Sequence, residues 1–96
     1  MNPNTTCTRD VTVNLDNGLH LGPSSQIVRV AQKFSSQLAI RKGDRVVDGK
    51  SMLDLLTLAA EHGAMLRLEA SGTDAAAAVD AIAQLFERNF VIDPPG

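Results

Sequence analysis

The chain is poor in aromatic residues and has almost no sulfur chemistry. Its 96 residues include three Phe, no Tyr and no Trp, so a core must be built mainly from Val, Ile, Leu and Ala. Cys7 is the only cysteine, which excludes an intramolecular disulfide or a zinc site of several cysteines. It falls in a polar segment and reads as an incidental exposed thiol. No apolar run approaches the length needed to cross a bilayer. No basic leader precedes an apolar stretch and cleavage site, so a cytoplasmic location without membrane insertion is expected. An excess of either charge is also missing: nine Lys and Arg against eleven Asp and Glu leave a net −2. The basic residues are scattered, apart from Arg41-Lys42 and Arg45 around one turn, which disfavours nucleic acid as a partner. No carboxylate–histidine cluster has metal-ligand spacing, so neither a metal nor a cofactor is implied.

What is present fits one domain with an ordinary apolar content of 44%. Residues 1–9 are polar and rich in Asn and Thr, and are expected to be poorly ordered. The domain proper is expected at 10–90, with 91–96, closed by Pro94-Pro95, as a tail. Val11, Val13 and Leu15 alternate with polar residues, predicting a first strand over about Asp10–Leu15. Ile27, Val30, Ala31 and Phe34 predict a helix over about Leu21–Ser36. Leu38 and Ile40 begin a hairpin that turns at Lys42-Gly43-Asp44 and returns as Arg45–Asp48. A second helix is expected over Ser51 to about His62, with Ser51 and Asp54 in capping-box spacing and Gly63 as its C-terminal cap. His62 then lies in the last turn and is given no catalytic role. Ala64–Ala70 alternates as a fourth strand, and Thr73 caps a last helix containing Val79, Ile82 and Phe86.

Every strand alternates, so each has one buried and one wet face, as in an antiparallel sheet. The order βαββαβα then implies an α+β fold, with the helices packed on one sheet face in a two-layer sandwich.

The segment Gly18-Leu19-His20-Leu21-Gly22-Pro23-Ser24-Ser25 carries the chemistry. Asp16-Asn17-Gly18 reads as a turn. Pro23 suits a first helical turn, where its missing N–H costs little. His20 therefore stands just ahead of unpaired amides at a positive helix end, a natural phosphate site. An imidazole beside an anion site suggests phosphoryl chemistry. A loop histidine ahead of a helix is also commonly a solvated or capping residue, and these residues alone leave both readings open.

This segment is similar to the active-site motif of the HPr family, the histidine phosphocarriers of the bacterial phosphotransferase system. Gly18, Leu19, His20, Pro23 and Ser24 match the family pattern, and Gly22 stands where the family keeps arginine. Gly49-Lys50-Ser51-Met52-Leu53, followed by an apolar Leu55–Ala60 run, matches a second motif. The resemblance covers about residues 10–88. It implies an open-faced sandwich with a four-stranded sheet in the order 1-4-2-3 and three helices on one face. It implies that enzyme I, charged by phosphoenolpyruvate, phosphorylates Nδ1 of His20, and that an enzyme II or a regulatory target receives the group. The chain would then be a relay rather than a turnover enzyme.

Leu21 and Gly22 can offer backbone N–H groups to the phosphate. A missing charged donor at 22, worth roughly 1.5–3 kcal/mol, would slow transfer about ten- to two-hundredfold if it acted only in the transition state. The aligned Ser51 is a regulatory phosphorylation site where an HPr kinase/phosphorylase serves the family, and it is equally a helix cap. Ser25, Arg29, Gln32, Met52, Leu53 and Leu56 align with a partner-docking face, although an amphipathic helix buries one stripe and each apolar position could instead be core. The alternative function is a regulatory HPr-like binding protein, controlled through Ser51, with weak or no carriage on His20.

Overall fold

The strands join into one sheet whose inner face is apolar, although the first strand contributes only the half-buried Cys7 and Val11 to it. The computed structural model describes residues 5–91. In chain order the elements are β1 (Thr6–Thr12), α1 (Leu21–Ala31), β2 (Gln37–Lys42), β3 (Arg45–Asp48), α2 (Met52–Thr57), β4 (Met65–Ser71) and α3 (Ala75–Glu87). The strands are ordered β1-β4-β2-β3, all antiparallel. Register pairs Leu38 with Ala70, and Ile40 with both Leu68 and Val47. A side-chain period of two then sends these residues to one face, where all are buried. On that side they share a single core with Ile27 and Ala31 of α1, Leu55 of α2, and Ala78, Val79, Ile82 and Phe86 of α3. The α+β sandwich is as the strand and helix pattern implied, and the 1-4-2-3 order as the family resemblance implied.

The other sheet face is mostly polar, with Val46 and Met65 as exposed apolar exceptions. Arg67 pairs with Asp10 at 2.8 Å and Arg41 with Glu69 at 3.4 Å. Such exposed pairs contribute at most about 1 kcal/mol each. They keep the uncovered face hydrated.

Several element ends differ from the sequence reading. β1 begins at Thr6, not Asp10, and stops at Thr12, not Leu15. Thr6–Arg9, expected to lack order, pair with Leu68–Ser71, and backbone pairing does not need apolar side chains. Cys7 is accordingly half-buried against the core rather than an exposed thiol. α1 ends at Ala31, not Ser36, because the Ser35 and Ser36 amides donate to the Asp74 carboxylate at 2.9 Å each. α2 ends at Thr57, not His62, so Gly63 is not its cap. Asp74, not Thr73, occupies the N-cap position of α3. β4 is shifted by one residue, and β3 lies where expected. Residues 1–4 of the expected N-terminal segment and 92–96 of the expected tail lie outside the described residues.

Beyond α3 the chain hooks back. Asn89 and Phe90 are left-handed (φ 52° and 59°). Phe90 is buried edge-on against Phe86, with ring centroids 4.8 Å apart. Its carbonyl accepts a hydrogen bond from Nε2 of Gln26 on α1 at 3.0 Å.

Candidate functional site

The loop between β1 and α1 is tied to the loop between α2 and β4, largely through backbone atoms. Val13 N–H donates to Ala64 O at 2.9 Å, and Gly63 N–H donates to Val13 O at 2.7 Å. Leu19 N–H donates to Ala60 O at 2.9 Å. The expected turn closes with Gly18 N–H donating to Leu15 O at 2.9 Å. Gly18 is left-handed (φ 67°), and an added Cβ would stand 2.3 Å from Ala60 O. That approach excludes any side chain at 18. Nδ1 of His62 lies 3.2 Å from Leu15 O, so this second histidine braces the loop rather than ending a helix.

His20 follows directly as the N-cap of α1, with an extended backbone (φ −85°, ψ −166°). Its carbonyl accepts the first i→i−4 bond of the helix, from Ser24 N–H at 3.0 Å. The amides of Leu21 and Gly22 precede that bond and have no intrahelical acceptor, while Pro23 has no N–H. The imidazole is exposed and makes no capping hydrogen bond. A Cβ built on Gly22 would stand 3.5 Å from Cε1 and 3.9 Å from Nδ1 of His20. The Nδ1 edge of the ring therefore faces the first turn. No acidic residue stands in that turn to repel an anion. Underneath, Ser24 is fully buried, and its Oγ donates to Leu19 O at 3.3 Å. Such a site can hold an anion on backbone amides while a nucleophilic nitrogen points at it.

The other candidate residues fall on two helices that pack together. Ser25, Arg29 and Gln32 sit at i, i+4 and i+7 along one side of α1 and its C-cap. Arg29 and Gln32 are exposed, and Ser25, half-buried, donates from Oγ to Gly22 O at 2.8 Å. On α2, Leu55 fills the core, whereas Leu53 is 72% and Leu56 41% exposed and Met52 is half-buried. Leu21, in the first turn beside His20, is a further exposed apolar residue.

Ser51 begins α2, half-buried, with its Oγ accepting from Asp54 N–H at 3.2 Å. The reciprocal half of the capping box is not made, since Asp54 Oδ2 accepts from Asp48 N–H instead, at 3.2 Å. Sequence reasoning did not anticipate Ala60, whose carbonyl fixes Leu19, because the contact crosses the fold and leaves no local pattern.

A family model described as the PTS HPr component phosphorylation site matches residues 7–88. The chain belongs to the HPr family. It is 36% identical over 77 residues to the HPr of Haemophilus influenzae, covering 80% of this chain and 91% of that one. Over 54 residues it is 50% identical to the multiphosphoryl transfer protein of Rhodobacter capsulatus, covering 56% of this chain and 6% of that much longer one. The HPr-C-His structure from Thermoanaerobacter tengcongensis superposes with a TM-score of 0.86 at 30% identity, covering 92% of this chain and 99% of that one. HPr proteins are the phosphocarriers of the phosphotransferase system, and membership implies partners among its enzymes. Among the described residues, no helix is long and apolar enough to cross a membrane.

Proposed function

We propose that this chain is a phosphocarrier that accepts a phosphoryl group on Nδ1 of His20 from phosphoenolpyruvate-charged enzyme I. It then passes the group to an enzyme II or a regulatory target. The observation that carries this reading is the exposed Nδ1 edge facing a helix start with free amides and no acidic residue.

In the forward step the Nδ1 lone pair forms a bond to phosphorus as the donor's phosphoryl bond breaks. The Leu21 and Gly22 amides stabilise the phosphoryl oxygens, and the ring, still protonated on Nε2, shares its positive charge with the group. The reverse of these bond changes delivers the phosphoryl to the next nucleophile. Open placement at the helix end keeps the product from being held too tightly. Ser25, Arg29 and Gln32 of α1, with Met52, Leu53 and Leu56 of α2, form the docking face, its apolar part suited to a partner surface and Arg29 to an acidic one. The relay operates in the cytoplasm and turns over no small molecule by itself.

Gly22 supplies an amide but no charge. A Cβ there would meet His20 only at ordinary van der Waals distance, so Gly22→Arg fits and should speed transfer by about ten- to two-hundredfold. The regulatory alternative, with HPr kinase/phosphorylase acting on Ser51, has less support. The Ser51 hydroxyl already caps α2, and the carboxylates of Asp48 and Asp54 flank it in sequence and would oppose a phosphate.

The decisive experiment is intact mass and phosphopeptide mapping after incubation with phosphoenolpyruvate and the host's enzyme I, beside a His20→Ala control. An acid-labile phosphoryl group on His20, absent from the control, is expected. No modification, with enzyme I active on another carrier, would overturn carriage and leave regulation through Ser51.

A further inference from the structure

Lys42 lies at the end of β2, beside the hairpin turn and on a different element from His20. It is half-buried, and its ammonium does not reach for a carboxylate. Nζ donates instead to the carbonyl of Ala59 at 2.8 Å and faces that of Leu58 at 3.4 Å. These are the carbonyls left without amide partners where α2 stops, and a cation there also complements the negative helix end. Ala59 is held left-handed (φ 55°), a conformation that an L-residue with a Cβ resists. Leu58 and Ala60 on either side are buried in the core, but the exposed, strained Ala59 between them has no side chain of its own to anchor it. The Lys42 ammonium is the group that binds its carbonyl.

The next residue, Ala60, connects this turn to the His20 loop. Its carbonyl accepts the Leu19 N–H at 2.9 Å, and Gly18 packs directly against the same oxygen. His20 is the residue after Leu19. We infer that Lys42 is a positioning residue for His20: it fixes the Leu58–Ala59 turn, the turn fixes the Ala60 carbonyl, and that carbonyl fixes the backbone from which the imidazole projects. This inference rests on His20 being the phosphoryl acceptor only for its effect on transfer; the effect on geometry stands apart from that reading.

The test uses the full chain, isotope-labelled, as wild type, Lys42→Met and Lys42→Arg. Amide hydrogen exchange at Leu19 and the ring resonances of His20 are measured first. In Lys42→Met, Leu19 should exchange about tenfold faster and the His20 ring signals should shift, with Leu68 in mid-sheet unchanged. Lys42→Arg should restore both. Phosphorylation by enzyme I should then show a severalfold lower limiting rate in Lys42→Met with an unaltered KM, because Lys42 lies outside the docking face.

Leu19 exchange and His20 signals identical to wild type would overturn the inference. So would a uniform rise in exchange at every amide, which is plain loss of stability. If Lys42→Met does not fold, Lys42→Gln, which retains a neutral donor, gives the same readouts with a smaller effect. Should enzyme I fail to label even the wild type, carriage falls, while Leu19 exchange and the His20 ring signals still decide the role of Lys42.

Discussion

α1 and α2 begin in opposite ways. Both have a candidate phosphorylation residue at the N-cap, in extended backbone, ahead of unpaired amides. At α2 the Ser51 hydroxyl turns inward and satisfies the Asp54 amide itself. At α1 the corresponding residue is Pro23, which has no N–H, and the His20 ring makes no such bond, while the amides of Leu21 and Gly22 beside the ring have no intrahelical acceptor. One helix start is closed by its own residue; the other is left open, and rigidity there comes from the opposite direction, through the Leu19–Ala60 contact. The same position thus yields a closed cap in one place and an open helix start in the other, because the third residue beyond it is Asp54, with an N–H to donate, in α2 and Pro23, with none, in α1.

The comparison breaks most completely at Gly18. Gly18→Ala puts a Cβ into the Ala60 carbonyl and a side chain at positive φ. It should lower stability by about 3 kcal/mol and reduce His20 phosphorylation with it. Urea unfolding checks this, and a loss well under 1 kcal/mol would mean the loop is not rigidly seated.

The start of α3 sharpens the contrast by a third arrangement, in which the Asp74 carboxylate serves Ser35 and Ser36 instead of its own helix. The Ser36 hydroxyl, followed by the Ser35 amide, holds its pKa down to about 2 from an ordinary 3.8. A depressed carboxylate stabilises the fold above its unfolded pKa and loses that contribution as pH falls. The melting temperature should therefore decline between about pH 4 and pH 2, and Asp74→Asn should flatten that part of the curve.

Ser51→Ala removes the closed cap and should cost about 1 kcal/mol, with Ser51→Asn retaining most of it. Thermal melts of the two variants separate a cap from a residue whose importance lies only in modification. His20→Ala, at the open start, should change stability by less than about 0.5 kcal/mol, since nothing depends on the ring for its hydrogen bonds. A larger loss in the same melts would show that His20 is a structural cap after all.

Both N-caps were legible because their signals are local. A strand alternation, an Asp-Asn-Gly turn and a proline in the first turn place His20, and a serine three residues ahead of Asp54 places Ser51. The ends of α1 and α2 were not legible, for a common reason. Ser36 N–H finds its acceptor at Asp74, 38 residues on, and the Ala59 carbonyl finds its donor at Lys42, 17 residues back. Continued helical periodicity through Phe34, and alanines at 59 and 60, argued for longer helices, but tertiary partners overrode propensity. The first residues of β1 were hidden differently. Thr6, Thr8 and Arg9 are exposed and show no apolar alternation. What holds them includes β4's backbone, a hydroxyl–hydroxyl bond from Thr6 to Ser71 at 3.1 Å and an ion pair of Arg9 with Asp80 at 2.9 Å. Along α2 the pattern could not divide Leu55 inside from Leu53 outside, because Met52, Leu53, Leu55 and Leu56 put apolar residues around most of so short a helix.

The hook at Phe90 matters for how this molecule could be tethered. Its hydrogen bond to Gln26 delivers the chain to the flank of α1, one residue from Ser25. Thr5, which accepts from Gly72 N–H, lies instead at the far end of β1, roughly 20 Å of strand away from the segment that leads to His20. A fluorophore, surface linker or fused domain attached ahead of Thr5 would leave His20 facing outward. The same cargo placed after Val91 would crowd α1, so a binding assay with either handle would measure a different accessible surface.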